Sequence, residues 1–191
     1  MRDLPRPAPK YNRKELARRA AEVRWEPLRR AADEERRETR AAAAAAIGEL
    51  GDRELFLAGV ALYWAEGGKD KEYDRRERVT LINSDPDVIQ VYLAWLGLLA
   101  VDRSTLRFRV QLHESADIDG AQQFWADMAG VPVDSLQRVS LKKHNLKTVR
   151  HNTGADYRGC LIVKVLGGAD LYRRTEGWWS GLVVETKRRN P

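Results

Sequence analysis

One carboxylate, Glu66, has the sequence position that most strongly indicates chemistry. It ends an apolar stretch, residues 55–65, and is followed by two glycines and a lysine. The apolar density of residues 54–63 is typical of a buried helix, which the glycine pair would end. A carboxylate at a helix C-terminus meets the negative end of the helix dipole, so a cation would stabilise it. The alternative is a strand residue paired with Lys69 or with an arginine.

Small residues recur along the same predicted helix. They would let a second helix approach closely, and a leucine lies among them. We therefore expect a partner helix to pack on the face formed by Ala58, Gly59, Ala61, Leu62 and Ala65.

Basic residues alternate with apolar ones later in the chain. Residues 106–114 predict a strand with four apolar side chains on one face. Its other face carries Arg107, Arg109, Gln111 and His113. A further strand, residues 137–143, would direct Arg138, Ser140 and Lys142 outward. Lys69, Lys71 and Arg78 add positive charge before these strands.

Residues 135–155 contain no acidic residue, although they contain several cations. An ordinary solvated surface usually mixes the two signs of charge, so this run favours a hairpin that faces phosphates. The cations are Arg138, Lys142, Lys143, Lys147 and Arg150.

These residues need elements that position them, and the composition predicts one core with an appendage. The chain has 191 residues, of which 43% are hydrophobic, and a formal net charge of +6. Residues 1–12 contain three prolines and predict a mobile basic arm. Residues 13–50, rich in Ala, Arg and Glu, predict a charged helical extension that Pro27 interrupts. It is either a solvated helix or an extension that follows DNA. Residues 51–184 form the predicted domain, and residues 185–191 a basic tail.

Within the domain, the periodicity predicts strands at residues 69–73, 78–83, 106–114, 137–143 and 159–166. Helices are predicted at residues 87–99, 118–129 and 169–183, and the tryptophans are expected mainly in the core. The fold class is therefore α+β, with helices on one face of an antiparallel sheet and the other face open. Such a basic face fits the major groove of a duplex, where Arg and Gln can bind base edges.

The single cysteine, Cys160, excludes a disulfide framework and indicates a reducing compartment. No apolar run is long enough to span a bilayer, and the N-terminus lacks the apolar region of a signal peptide. We expect a cytoplasmic protein associated with the nucleoid, without a membrane partner or a small-molecule substrate.

The nine residues at positions 59–67, GVALYWAEG, resemble the LAGLIDADG motif of the homing endonuclease family, in a variant that ends in Glu-Gly. The segment that follows, with Asn83-Ser84-Asp85-Pro86 before a helix, is also similar to that family. The resemblance covers roughly residues 54–182. Two departures are Trp64 at the first Asp of the motif and Ala61 at its Gly.

This resemblance implies a saddle-shaped αββαββα unit that binds double-stranded DNA. Because the chain carries one copy of the motif, the resemblance implies a homodimer formed through the motif helix. Glu66 would bind Mg²⁺ at the scissile phosphates, and Ser84 and Lys164 match the polar and basic residues that accompany it. The leading hypothesis is that the chain is a DNA-binding regulator whose cleavage activity is reduced or lost. Such a regulator needs no metal. The alternatives are an active Mg²⁺-dependent endonuclease, and an RNA-binding or protein-interaction module.

Overall fold

The computed structural model describes residues 12–142 and 157–189 of the chain. The chain divides into two compact units, residues 1–50 and residues 51–191. In the described part of the chain, no helix combines the length and the apolar character needed to cross a membrane.

The first unit contains one long helix, α1 (Arg13–Ile47), which has no buried residue. The side chain of Asn12 caps it by accepting the backbone N–H of Lys14 at 3.1 Å. Ion pairs one helical turn apart, such as Arg19 with Glu15 at 2.9 Å, support it along its length. The predicted interruption at Pro27 is wrong: the proline removes one backbone hydrogen bond, and the helix continues through it.

The described part of the second unit is an α+β structure in which four further helices accompany a four-stranded sheet. Two short 3₁₀ turns, Arg103–Thr105 and Val133–Ser135, lie in its connections. In chain order its elements are α2 (Asp52–Glu66), β1 (Thr80–Asn83), α3 (Pro86–Leu98), β2 (Leu106–His113), α4 (Ile118–Ala129), β3 (Gln137–Lys142), β4 (Cys160–Val165) and α5 (Ala169–Arg189).

The sheet has the strand order β1-β4-β2-β3 and is mixed. β4 is antiparallel to both β1 and β2, as expected. The prediction of an antiparallel sheet is wrong for β3, which is parallel to β2. The reason is α4, which lies between β2 and β3 in the chain and returns it to the end of the sheet where β2 began.

The strand predicted at residues 69–73 is absent, and an irregular segment joins α2 to β1. The Asp70 carboxylate accepts the backbone N–H groups of Arg76 at 2.7 Å and Glu77 at 2.5 Å. The backbone N–H of Asp70 in turn donates to the Tyr172 hydroxyl at 2.7 Å. These bonds hold the backbone of the segment in a loop, which side-chain alternation does not reveal.

Alternate residues of β1, β2 and β4 are buried in the same cluster as apolar side chains of α2, α3, α4 and α5. The helices therefore cover one face of the sheet, as predicted. Trp95 and Trp125 are fully buried there, whereas Trp64, also expected in the core, is 42% exposed. At the C-terminus, α5 continues to Arg189, beyond the predicted helix end at residue 183.

Candidate nucleic-acid interface

The outward side chains of the four strands share the sheet surface that the helices leave uncovered, which we call the open face. Four of its members are cations and none is a carboxylate, so it favours an anionic partner. The strand register places on it Thr80, Ile82, Arg107, Arg109, Gln111, Gln137, Ser140, Lys142, Cys160, Ile162 and Lys164.

One row across the open face contains two neighbouring cations. Lys164 lies between Thr80 on one side and Arg107 on the other. Arg107 donates through Nη1 to the backbone carbonyls of Ser104 at 2.7 Å and Leu106 at 2.8 Å, which fixes its guanidinium group. Like charges directly opposite each other on paired strands are destabilising. An anion bound between Lys164 and Arg107 would relieve that repulsion.

The next row combines apolar and hydrogen-bonding side chains. Ile82 is opposite Ile162, Ile162 is opposite Arg109, and Arg109 is opposite Gln137. The guanidinium group of Arg109 donates through Nη2 to Oε1 of Gln137 at 3.3 Å. This bond leaves the other N–H groups of Arg109 available for a ligand.

Arg138 does not take the position that alternation predicts. The register shifts between Arg109 opposite Gln137 and Gln111 opposite Ser140, which places one extra residue in β3. Gln137, not Arg138, therefore lies beside Arg109, while Ser140 and Lys142 keep their predicted face. Arg138 is exposed at the irregularity.

His113 is a second correction, because its side chain is 6% exposed and buried, not available on the open face. β2 ends at this residue, and the chain turns towards α4, with the backbone N–H of Ala116 donating to the carbonyl of His113 at 3.0 Å. Strand alternation overestimates exposure at such an end. Three further predicted DNA contacts, Lys143, Lys147 and Arg150, lie outside the described residues.

The basic residues before β1 lie on the loop between α2 and β1. Lys69, Lys71 and Arg78 are all exposed. The Lys69 ammonium group donates to the carbonyl oxygens of Ala65 at 3.4 Å and Gly67 at 3.3 Å. The cation expected at the C-terminus of α2 is thus supplied by the chain itself, where it stabilises the helix end.

The three candidate catalytic residues are spread along β1. Glu66 is exposed at the end of α2, and the following Gly67 forms a bridge with Leu81. Lys164 lies opposite Thr80, the first residue of β1, whereas Ser84 follows its last residue. Four residues of strand separate Ser84 from the position of Lys164 by roughly 13 Å, so the structure does not bring Ser84 and Lys164 together.

The fit to Mg²⁺ is incomplete within one chain. The described residues contain no group of three or more His, Cys, Asp or Glu side chains arranged to hold a metal ion. Mg²⁺ demands near-octahedral oxygen ligation, which the Glu66 carboxylate does not supply by itself. We derive no metal-dependent step from this geometry.

The predicted packing face of α2 divides into two parts. Gly59 is buried inside the chain, where an added Cβ would lie 2.0 Å from the indole of Trp95 in α3. Ala58, Ala61 and Ala65 are exposed and Leu62 is half-buried, at a spacing that places them along one stripe. We call these four residues the small-residue stripe.

The Tyr63 hydroxyl joins α2 to the start of β1. It accepts the backbone N–H of Thr80 at 3.2 Å, and its own hydrogen faces the carbonyl oxygens of Gly68 at 3.1 Å and Arg78 at 3.3 Å. Tyr63 is fully buried, so its hydroxyl depends on these backbone groups for its hydrogen bonds. Tyr63 therefore positions the strand that begins the open face.

Tyr63→Phe is expected to lower the free energy of unfolding by about 1–2 kcal/mol, since it removes the hydroxyl that bonds three part-buried backbone groups. Tyr92→Phe is the matched control. In the described structure the Tyr92 hydroxyl is buried and has no hydrogen-bond partner, so its removal should be neutral or slightly stabilising. Urea unfolding of the two variants measures the difference, and equal losses would contradict the role of the Tyr63 hydroxyl.

Because of the Tyr63 hydroxyl, the folding stability of the protein should depend on pH in the alkaline range. Burial raises the pKa of Tyr63 to about 12, from an ordinary value of 10.0. Because the pKa of Tyr63 is higher in the folded state than in the unfolded state, the hydroxyl contributes fully to folding stability below pH 10. This contribution is lost as the pH rises towards 12. The stability difference between wild type and Tyr63→Phe should therefore shrink over that interval, measured by unfolding at fixed pH values. A constant difference would show that the hydroxyl does not titrate in this way.

Some residues of the open face were not predicted to contact a ligand there. Lys164 was predicted only as a catalytic residue, through the resemblance; it is the only charged residue within residues 159–166, and that isolation in an apolar strand is the signal for its place on the open face. Ile82 and Ile162 had no signal of their own, since a sequence does not give the register between strands that are distant in the chain.

Comparison with known proteins identifies no relative of this chain. The chain matches no protein family, no curated protein and no solved structure. Geometry, charge and exposure are therefore the grounds for a function.

Proposed function

We propose that this chain binds double-stranded DNA through the open face. The observation that carries the proposal is the combination of four cations with no carboxylate among its eleven positions. A surface with mixed charges would repel phosphates as often as attract them. Here the cations attract the backbone, and Arg109, Gln111 and Gln137 provide the donors and acceptors that recognise base edges in the major groove.

We further propose a relation to the LAGLIDADG fold. In its support, α2 ends at the position of the motif glycine, Gly67, and leads into the sheet. The departures are the loop in place of the first strand and the crossover helix α4. Three of the four residues of the small-residue stripe are exposed along α2, and we propose that a second copy packs on it. Two chains per duplex at saturation would then be expected.

Neutralising the open face tests DNA binding. A variant with Arg107→Gln, Arg109→Gln and Lys164→Gln is compared with wild type by titrating a random-sequence DNA duplex at several salt concentrations. Each phosphate contact contributes a slope of about 0.9 in log K against log salt for B-DNA. The variant should bind at least about tenfold more weakly at low salt, with a slope smaller by about 2–3.

The matched control removes three charges from α5, which packs on α2 in the helix layer. Its substitutions are Arg174→Gln, Lys187→Gln and Arg188→Gln, all at exposed positions. It should retain the affinity and the slope of the wild-type protein. Equal weakening in both variants would show that net charge, not the open face, drives binding.

Two further arms of the titration separate the alternatives. Stronger binding to an RNA duplex than to DNA would overturn the proposal in favour of an RNA-binding protein. Mg²⁺ added to the DNA complex tests cleavage, with Glu66→Gln as the control. Cleavage that depends on Glu66 would replace simple binding with the endonuclease, and intact DNA in both proteins supports binding alone.

A further inference from the structure

Two isoleucines on the edge strand β1 and its neighbour β4 form an apolar patch on the polar open face. Ile82 is opposite Ile162 on the neighbouring strand, and Ile82 is 45% exposed. Ile162 is half-buried. The neighbouring row contains Lys164 and Arg107, and the isoleucine row itself continues to Arg109 and Gln137. A surface that bound only phosphates would gain nothing from aliphatic side chains here.

We propose that this patch contacts the C5 methyl group of a pyrimidine in the major groove, beside a guanine bound by Arg109. The inference rests on the proposed DNA binding and specifies which bases the open face recognises. The thymine methyl is the apolar group that a base pair presents in the major groove, and Arg bound to O6 and N7 is the commonest specific contact to guanine.

The order of residues supports this pairing of contacts. Ile162 and Arg109 lie on adjacent hydrogen-bonded strands, roughly 4.8 Å apart. Successive base pairs in B-DNA rise by about 3.4 Å. Side chains of this length on neighbouring strands therefore reach neighbouring base pairs. The preferred step is a thymine, or a cytosine methylated at C5, next to guanine.

This chemistry also distinguishes DNA from RNA. Uracil lacks the C5 methyl group, and side chains cannot enter the deep, narrow major groove of an A-form helix. An aliphatic patch beside cations is therefore better suited to a DNA major groove than to an RNA duplex.

The test removes the methyl group from the DNA instead of changing the protein. Wild-type protein is incubated with two random-sequence duplex pools that differ only in containing thymine or deoxyuridine, and the bound fractions are sequenced. Steps with thymine next to guanine should be enriched in the first pool and not in the second. For a selected duplex, replacing the contacted thymine with deoxyuridine should weaken binding about fourfold, the effect of one buried methyl group.

The matching change in the protein is a double variant that combines Ile82→Ala with Ile162→Ala. This double variant should still bind duplex DNA but should no longer distinguish thymine from deoxyuridine. Val91→Ala, which shortens an exposed aliphatic side chain on α3, should keep the discrimination. Circular dichroism checks that each variant is folded, and the wild-type comparison needs no variant at all.

The outcomes separate this inference from the proposed function. If wild-type protein binds DNA but treats both pools alike, or if the double variant still discriminates, the methyl contact is wrong and DNA binding stands. If wild-type protein binds neither pool, the proposed function itself is wrong, and the inference is lost with it.

Discussion

Gly159→Ala is expected to destabilise the protein by about 2–5 kcal/mol, although it adds a single methyl group. Gly159 has φ +66°, a left-handed conformation that costs other residues about 1–2 kcal/mol. An added Cβ would also lie 2.4 Å from the carbonyl oxygen of Gln111 and 2.7 Å from Cβ of Leu112. Because the nearest atom is backbone within β2, the strand itself must shift, which adds about 1–3 kcal/mol.

Gly167→Ala separates the two contributions. Gly167 also has φ +66°, but an added Cβ would meet nothing within 4 Å. It should therefore lose only the conformational part, about 1–2 kcal/mol. Urea unfolding of both variants gives the difference, which reports the contact between the start of β4 and β2. Losses of equal size would contradict that contact.

Gly59→Ala is expected to destabilise by about 2 kcal/mol, against the usual preference for alanine in helices. Gly59 lies inside α2, and an added Cβ would lie 2.0 Å from Cδ1 and Cγ of Trp95. Trp95 is fully buried and in ring contact with Tyr63, Tyr92 and Trp178, so the indole has little room to move. The overpacking outweighs the gain of about 1 kcal/mol that alanine brings to a helix interior.

The control for this substitution lies in the partner helix. Gly97 is within α3, and an added Cβ there would meet nothing within 4 Å. Gly97→Ala should therefore stabilise the protein by about 0.5–1 kcal/mol. Thermal unfolding should show opposite shifts in Tm for the two variants. Stabilisation by both would show that α2 and α3 do not approach each other at Gly59.

Local signals predicted the helices of the second unit well. α4 has the predicted bounds because Asp117 caps its N-terminus and Gly130 ends it in a left-handed conformation, both of which are visible in the sequence. α3 begins one residue earlier than predicted, at Pro86, because proline fits the first turn of a helix directly after its cap, Asp85.

Pairing between strands was less predictable. The alternation in β2 identified Arg107, Arg109 and Gln111 as outward residues, because one face of that strand is buried. The parallel orientation of β3 and its extra residue depend on tertiary contacts, which alternation within one strand does not contain. The loop at Asp70 was missed for a similar reason, since its carboxylate binds backbone groups six and seven residues later.

The position of β4 has a consequence for how the sheet forms. β4 is the last strand in the chain, yet it lies between β1 and β2. Asn83 pairs with Leu161, so among the described strands β1 has no partner until residue 161 has been synthesised. At about 5–20 residues per second, β1 precedes β4 by several seconds during translation. A chain that stops before β4 would contain the arginines of β2 and the isoleucine of β1 without the strand that places them on one surface.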